Sequence, residues 1–164
     1  MNEIRVRALV ESDRLWLGGF LREHWGSPHM VYGHGLQVFA CDELPGFVAF
    51  CGEEPVGLVT YAIADGQLQV VSLDSVREGI GVGTALMLAV ERVARDSGME
   101  RVWLLTTNDN LNALRFYQKR GYELVAVHRN AVEQARRIKP QIPAVGSDGI
   151  PLRDEIELEK RLSP

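Results

Sequence analysis

Hydrophobic and polar residues follow one another along the first half of this chain in the periods of strands and helices. Ile4 and Val6 alternate with charged residues, and Ser12 or Asp13 can cap a helix with an apolar stripe behind it. Apolar, β-branched runs separated by turn-forming residues indicate a hairpin and a further strand. The predicted elements are a strand around 4–6, a helix from about 13, and strands at 46–51, 56–64 and 67–73.

A strand-helix-strand unit follows. Glycines at 79, 81 and 83 open a helix that runs to about Ser97, with apolar residues at Leu86, Val90 and Val93 and charged residues such as Glu91 expected on the solvent side. Residues 101–107 form the next apolar run. A helix of this length permits a right-handed crossover between two parallel strands.

The remaining segments alternate again between helix and strand. The pattern predicts a helix at 108–120, a strand at 122–128, a short helix at 131–138 and, after a proline- and glycine-rich loop, a half-exposed strand at 155–159. The glycines, proline and histidines of 25–35 predict a loop there. Alternation of this kind, with no internal repeat or linker, indicates one α/β domain spanning 1–164.

Composition narrows the class of function. The formal net charge is -4, which disfavours nucleic acid as a partner, and no apolar run approaches the length of a membrane span. Cys41 and Cys51 fit neither a zinc motif nor a secreted disulfide framework. We therefore expect a soluble, cytoplasmic protein without a metal and without nucleic acid or membrane as a partner.

The glycine-rich segment is the candidate for chemistry. Glycines where a strand becomes a helix leave backbone N–H groups free, and the helix dipole adds to them, so the segment predicts an anion site. A Walker-type NTPase is excluded because no Lys-Ser or Lys-Thr pair follows the glycines. A dinucleotide fold, with Asp109 as its ribose-binding acid, and an acyl-CoA transferase both remain open.

Two stretches of sequence resemble one family. Residues 78–86, Glu-Gly-Ile-Gly-Val-Gly-Thr-Ala-Leu, resemble the pyrophosphate loop of the GNAT superfamily of N-acetyltransferases, and residues 110–117 resemble its N-x-x-A-x-x-F-Y motif. Gly121-Tyr122 follows as the family's Gly-aromatic pair does. The resemblance implies a GNAT-like fold, that is, a mixed and mostly antiparallel β-sheet with a central parallel βαβ unit, splayed strands and helices on both faces.

The resemblance also implies the reaction and its residues. Acetyl-CoA would be the cosubstrate and a small-molecule or peptide amine the acceptor, in a monomer or homodimer. The Leu73 N–H would donate to the thioester carbonyl and Tyr117 would protonate the CoA thiolate, although Tyr117 also fits a core aromatic. The implied CoA-binding residues are Leu73, Asp74, Ser75, Glu78, Gly79, Ile80, Gly81, Val82, Gly83, Thr84, Asn110 and Tyr117.

Two features depart from the family pattern. Glu78 stands where relatives have Gln or Arg, so either Arg77 substitutes or the carboxylate points to solvent. Gln67 and Gln69 stand where relatives often place a carboxylate base, which leaves Asp74, His34 and His29 as candidates. These departures keep a second hypothesis open, a non-catalytic acyl-CoA sensor or interaction module.

Overall fold

The computed structural model describes residues 3–25 and 27–162, and Gly26, within the stretch predicted as a loop, lies outside them. Thirteen helices and strands make up the fold, joined by turns and short 3-10 segments. They are β1 (Ile4–Ala8), α1 (Arg14–Trp25), β2 (His29–Tyr32), β3 (Gln37–Ala40), β4 (Gly46–Cys51), β5 (Glu54–Ala64), β6 (Gln67–Ser75), α2 (Val82–Asp96), β7 (Arg101–Thr107), α3 (Leu111–Lys119), β8 (Glu123–His128), α4 (Ala131–Ile138) and β9 (Glu155–Arg161).

A seven-stranded sheet forms the centre of the molecule, in the order β1-β4-β5-β6-β7-β9-β8. Only β6 and β7 run parallel, joined by α2, and the other neighbours are antiparallel. The predicted α/β fold, with a mixed and mostly antiparallel sheet around one parallel βαβ unit, is confirmed. None of the helices in the described ranges is long and apolar enough to cross a membrane.

Two hydrophobic cores flank the sheet, one on each face. The first contains the apolar side of α2, including Leu86 and Val90, together with Tyr117 of α3. The second contains Leu17 and Leu21 of α1 and packs against Tyr32 of β2. Helices therefore cover both faces, as expected for this fold.

Three expectations about local structure are wrong. The stretch predicted as a loop contains β2, which pairs with β3 in a separate two-stranded sheet. The final strand, β9, is not half-exposed, because it lies between β7 and β8, and Glu155 is only 2 % exposed. Glu91, expected on the solvent side of α2, is buried because Tyr122 Oη and Lys160 Nζ donate to its carboxylate at 2.9 and 3.0 Å.

The sheet opens between its two parallel strands. Residues 67–70 of β6 pair with residues 101–104 of β7, and the ladder ends there although both strands continue. The ladder between β6 and β5 shifts at the same level, because Ser72 faces Thr60 and Val70 faces Tyr61, which makes Val71 the extra residue of a β-bulge. The second halves of β6 and β7 thus border a cleft.

Candidate functional site

The backbone of β6 faces the cleft at alternate residues. Val76 N donates to Val56 O at 2.8 Å, which makes this a hydrogen-bonded pair of the antiparallel ladder with β5. Because such pairs alternate with pairs that are not hydrogen-bonded, Leu73, opposite Val59, and Ser75, opposite Gly57, turn their N–H and C=O groups away from β5. Leu73 thus presents a backbone donor to the open side of the strand.

Two tyrosines from opposite faces of the sheet meet near the bulge. Tyr32 donates its hydroxyl proton to Val71 O at 2.5 Å, so this contact holds the bulge. Burial raises the pKa of Tyr32, and the neighbouring Cys41, Tyr117 and Glu155 raise it further. Tyr32 belongs to the core beneath α1 and Tyr117 to the core beneath α2 and α3, so the two residues lie on opposite faces of the sheet.

Tyr117 projects from α3 into this region. Its ring packs edge-on against those of Phe116 and Tyr122, with centroids 5.1 and 5.7 Å away, and its side chain is 7 % exposed. Within the described ranges its hydroxyl makes no hydrogen bond. Burial raises its pKa, so the phenol carries a proton at neutral pH. Tyr117 is thus a core aromatic, and its role as the acid that protonates the thiolate stays a prediction.

The loop before α2 is shaped for an anion. Gly79 and Gly81 have φ of 80° and 87°, a region that side chains disfavour, and a Cβ on either would meet nothing within 4 Å. Gly81 is the N-cap of α2, and no side chain among the described residues caps the helix. The N–H groups of its first turn therefore point, with the positive end of the helix dipole, into an open loop.

Two residues of the glycine-rich segment face inward instead. Val82 is 1 % exposed and packs on Gly57 of β5, where an added Cβ would lie 2.4 Å from Val82 Cγ1. A Cβ on Gly83 would lie 2.9 Å from Phe116 Cζ, so this glycine serves the packing of α2 on α3. Val82 and Gly83 therefore offer a ligand only their backbone N–H groups. The next residue, Thr84, is partly exposed.

A cation lies beside the first turn of α2. Arg120 donates from Nε to Thr84 Oγ1 at 2.7 Å and from Nη1 to Phe116 O at 2.8 Å. Its guanidinium also lies 3.7 Å from the centroid of the Phe116 ring. Nothing in the sequence pattern singled out Arg120, whose positive charge adds to the field at the loop.

The two polar candidates before α3, Asn110 and Asp109, make different contacts. Asn110 caps the helix, which begins at Leu111 rather than at 108, because its side chain accepts from Ala113 N at 3.1 Å. Asp109 accepts from Thr107 Oγ1 and from Ser147 N, at 2.5 and 2.9 Å, and is 7 % exposed. Its carboxylate is thus occupied in tying the C-terminal loop to the sheet, which removes the ribose-binding role of the dinucleotide hypothesis.

Glu78 is exposed to solvent, and Arg77 is paired with another residue. Glu78 and Ile80 are both exposed. Arg77 pairs with Glu54, with 2.7 Å between Nη2 and Oε2. The carboxylate of Glu78 therefore meets solvent, in line with one of the two alternatives raised above.

The candidate bases are spread over the site. Asp74 is half-buried near the cleft, while His29 and His34 are exposed on the segment that contains β2. Gln69 exchanges two hydrogen bonds of 3.0 Å with Gln37. None of these contacts selects one base.

Sequence reasoning missed the residues that anchor the segment containing β2. Glu155 accepts from the backbone N–H groups of Gly33 and His34 at 2.7 and 3.0 Å, which anchors the end of β2 to β9. Tyr32, on that segment, holds the bulge. Their partners are distant in sequence, so no local motif marked them.

Comparison with known proteins identifies the family. The sequence model of the acetyltransferase (GNAT) family matches residues 13–122, which include the glycine-rich loop and Tyr117. The chain belongs to the GNAT acetyltransferase family. Acetyl-CoA is the cosubstrate of this family, so that expectation is confirmed, and the open loop and uncapped α2 fit its diphosphate.

Similar GNAT chains extend along nearly the whole length. The uncharacterized protein YdhI of Bacillus subtilis (strain 168) is 49 % identical over 160 residues, covering 97 % of this chain and 94 % of that protein. The IAA acetyltransferase from Bacillus cereus ATCC 14579 superposes with a TM-score of 0.70 at 17 % identity, over 98 % of this chain and all of that one. A Bacillus subtilis acetyltransferase in complex with CoA superposes with a TM-score of 0.66 at 16 % identity, over 99 % and 100 % of the two chains.

Proposed function

We propose that this GNAT acetyltransferase moves an acetyl or small acyl group from CoA to an amine by direct attack in a ternary complex. The observation that carries the proposal is the cleft between β6 and β7, bordered by the outward-facing backbone of Leu73 and approached by the Tyr117 hydroxyl. A small-molecule or peptide amine is the acceptor class. The cytoplasm is the proposed compartment, consistent with Cys41 and Cys51 not forming a disulfide with each other.

The loop and the start of α2 would hold the diphosphate. The proposed donors are the backbone N–H groups of residues 79–84, which need no movement of a side chain to reach an anion. Asp74 and Ser75 would border the pantetheine arm, with the Ser75 backbone offering edge hydrogen bonds. Asn110 would remain the cap of α3 while its amide end faces the same arm.

Leu73 and Tyr117 would act on the reacting atoms. The cosubstrate supplies an activated acetyl thioester. The Leu73 N–H would donate to the carbonyl oxygen as negative charge develops there, an interaction worth about 3 kcal/mol in comparable sites. As the C–N bond forms and the C–S bond breaks, Tyr117 would give its proton to sulfur, and the proton that the amine nitrogen loses would pass through water to restore the Tyr117 hydroxyl.

The test separates binding from chemistry. We expect desulfo-CoA to bind wild type and Tyr117→Phe with similar affinity by calorimetry. Thiol release on an amine panel should show kcat lowered about 100-fold in the variant, because the thiolate loses its acid. Tyr61→Phe, a half-buried tyrosine of β5 stacked on Phe47, is the matched control and should leave kcat unchanged.

Two outcomes would count against the proposal. Failure of the wild-type protein to bind any CoA compound would end it. Tight binding without turnover on a broad amine panel would instead favour the non-catalytic acyl-CoA sensor or interaction module.

A further inference from the structure

Two imidazoles and a carboxylate meet where the segment after β2 packs on β8 and β9. One potential ligand atom from each of His34, His128 and Glu157 lies within 4.8 Å of the other two. The imidazole rings stack with centroids 3.5 Å apart and planes at 14°, and His128 Nε2 is 3.0 Å from Glu157 Oε1. None of the roles proposed for the transfer reaction requires this set.

Contacts from outside the cluster orient its members. Arg101 Nη1 donates to Glu157 Oε2 at 2.9 Å, which leaves Oε1 directed at His128. Glu155 holds the backbone of His34 through the N–H at 3.0 Å. Hydrogen bonds of this kind, one shell away from the ligand atoms, are a regular property of metal sites because they fix the ligands before the ion binds.

The spacing suits a small divalent cation. With bonds of about 2.0–2.2 Å to nitrogen and oxygen, two ligand atoms 3.0 Å apart subtend an angle of about 90° at the ion. The His34 nitrogen must approach to about 3.4 Å for tetrahedral coordination. His34 is exposed, so rotation of its side chain can bring it there, and water can take a remaining position.

The net charge around the three residues does not oppose the binding of a cation. Alternation along β9 places Glu155, Glu157 and Glu159 on one face of the sheet. Arg101 pairs with Glu157 and Glu159, and the exposed Arg161 pairs with Glu159. With neutral imidazoles, three carboxylates face two guanidinium groups, so an added positive charge is not opposed by the net charge.

We infer that His34, His128 and Glu157 bind a first-row divalent cation of the zinc type, with a water completing its coordination. Two imidazole nitrogens with one carboxylate oxygen form a ligand set that such cations favour. An ordinary ion pair between His128 and Glu157 would account for their contact but not for His34, which comes from a different segment. The ion would clamp the segment after β2 onto β8 and β9.

The experiment uses tag-free full-length protein treated with chelator and then titrated with Zn²⁺ by calorimetry and with Co²⁺ by visible absorption. We expect one equivalent to bind. His128→Asn and Glu157→Gln should each weaken binding by roughly 100-fold, as expected for loss of a ligand. Glu159→Gln is the matched control, since it also removes a β9 carboxylate bonded to Arg101 but lies outside the ligand set, and it should bind like wild type.

His34→Asn keeps the test decisive if the buried variants fold poorly. Its side chain is exposed, so this variant should retain its stability while losing at least tenfold in Zn²⁺ affinity. Absence of saturable binding at millimolar Zn²⁺ would overturn the inference. Equal affinity of wild type and His34→Asn would overturn it as well. Neither result depends on CoA binding, so the inference and the transferase proposal fail independently.

Discussion

The two sides of the cleft are built in different ways. On the side proposed to bind CoA, the loop owes its shape to the positive φ of Gly79 and Gly81 and to the uncapped first turn of α2, all within a few residues. On the side proposed for the acceptor, the segment that contains β2 depends on side-chain contacts between distant segments. Glu155 bonds to Gly33 across 122 residues of sequence, and Tyr32 reaches Val71 across 39.

This difference explains which substitutions each side tolerates and which of its features can be recognised in the sequence. Backbone conformation at a glycine is a local property, so it leaves a mark in the sequence that can be recognised. A buried carboxylate that accepts two backbone N–H groups is a property of the assembled fold, and its loss leaves both donors unsatisfied. Variants should therefore affect the two sides separately, and three further predictions test this.

The largest effect is expected at Glu155. Glu155→Ala removes two charge-assisted hydrogen bonds from a side chain that is 2 % exposed, so the free energy of unfolding should fall by about 3–5 kcal/mol. Urea denaturation measures this loss. Glu155→Gln keeps the shape and one acceptor atom, so its loss should be smaller.

Glu155→Gln also tests whether the two sides of the cleft respond separately. For Glu155→Gln we expect the KM for the amine to rise while the affinity for desulfo-CoA stays that of wild type, because the anchored segment lies away from the glycine-rich loop. A parallel fall in CoA affinity would show that β2 and α2 respond as one unit, so the two sides of the cleft would not be separable.

An intermediate effect is expected where α2 meets α3. A Cβ on Gly83 would lie 2.9 Å from Phe116 Cζ, so Gly83→Ala should destabilise the fold by about 1–2 kcal/mol despite the better helix propensity of alanine. In a Phe116→Leu background the same change should cost less or stabilise. A double-mutant cycle by urea denaturation measures the coupling, and additive effects would contradict the packing role of Gly83.

Much of the fold was predictable because its signals are local. The helix at 131–138 has the predicted bounds, and Asn110 caps α3 as its side-chain type suggests. β2 was missed because the breakers around it masked four residues that pair only with β3. The burial of β9 was missed because alternating glutamates indicate a solvated face, whereas here arginine, histidine and backbone N–H groups partner them.

The candidate site was predictable to a smaller degree. Motif spacing marked the loop and Tyr117, but it gave no sign that Gly83 also packs against Phe116. Arg120 and Tyr32 act through contacts with Thr84 and Val71, 36 and 39 residues away. Such contacts depend on how the elements are brought together, so a single sequence does not contain them in readable form.

The smallest effect is expected at a local motif around Asp13, where α1 begins. Asp13 accepts from Arg7 at 2.8 and 3.0 Å, from Val10 N at 2.7 Å and from Trp16 Nε1 at 3.0 Å. The hydrogen bonds from Arg7 hold the pKa of Asp13 well below its usual range, and those from Val10 and Trp16 lower it further against the effect of burial. All partners lie within six residues. The sequence predicted Ser12 or Asp13 as the cap of this helix, whereas the Asp13 carboxylate accepts from Val10 N, ahead of α1, and from no backbone N–H of α1 in the described ranges.

A carboxylate whose pKa is lower in the folded state stabilises the fold above its unfolded pKa, about 3.9, and this contribution is lost as the pH falls. Asp13→Asn should therefore lower the free energy of unfolding by about 1 kcal/mol at pH 7, a modest value because Arg7 is partly exposed. Its deficit relative to wild type should shrink as the pH is lowered through 4, whereas the exposed neighbour Glu11→Gln should stay close to wild type throughout. If the deficit of Asp13→Asn is constant with pH, the charge of Asp13 contributes nothing to the stability of this motif.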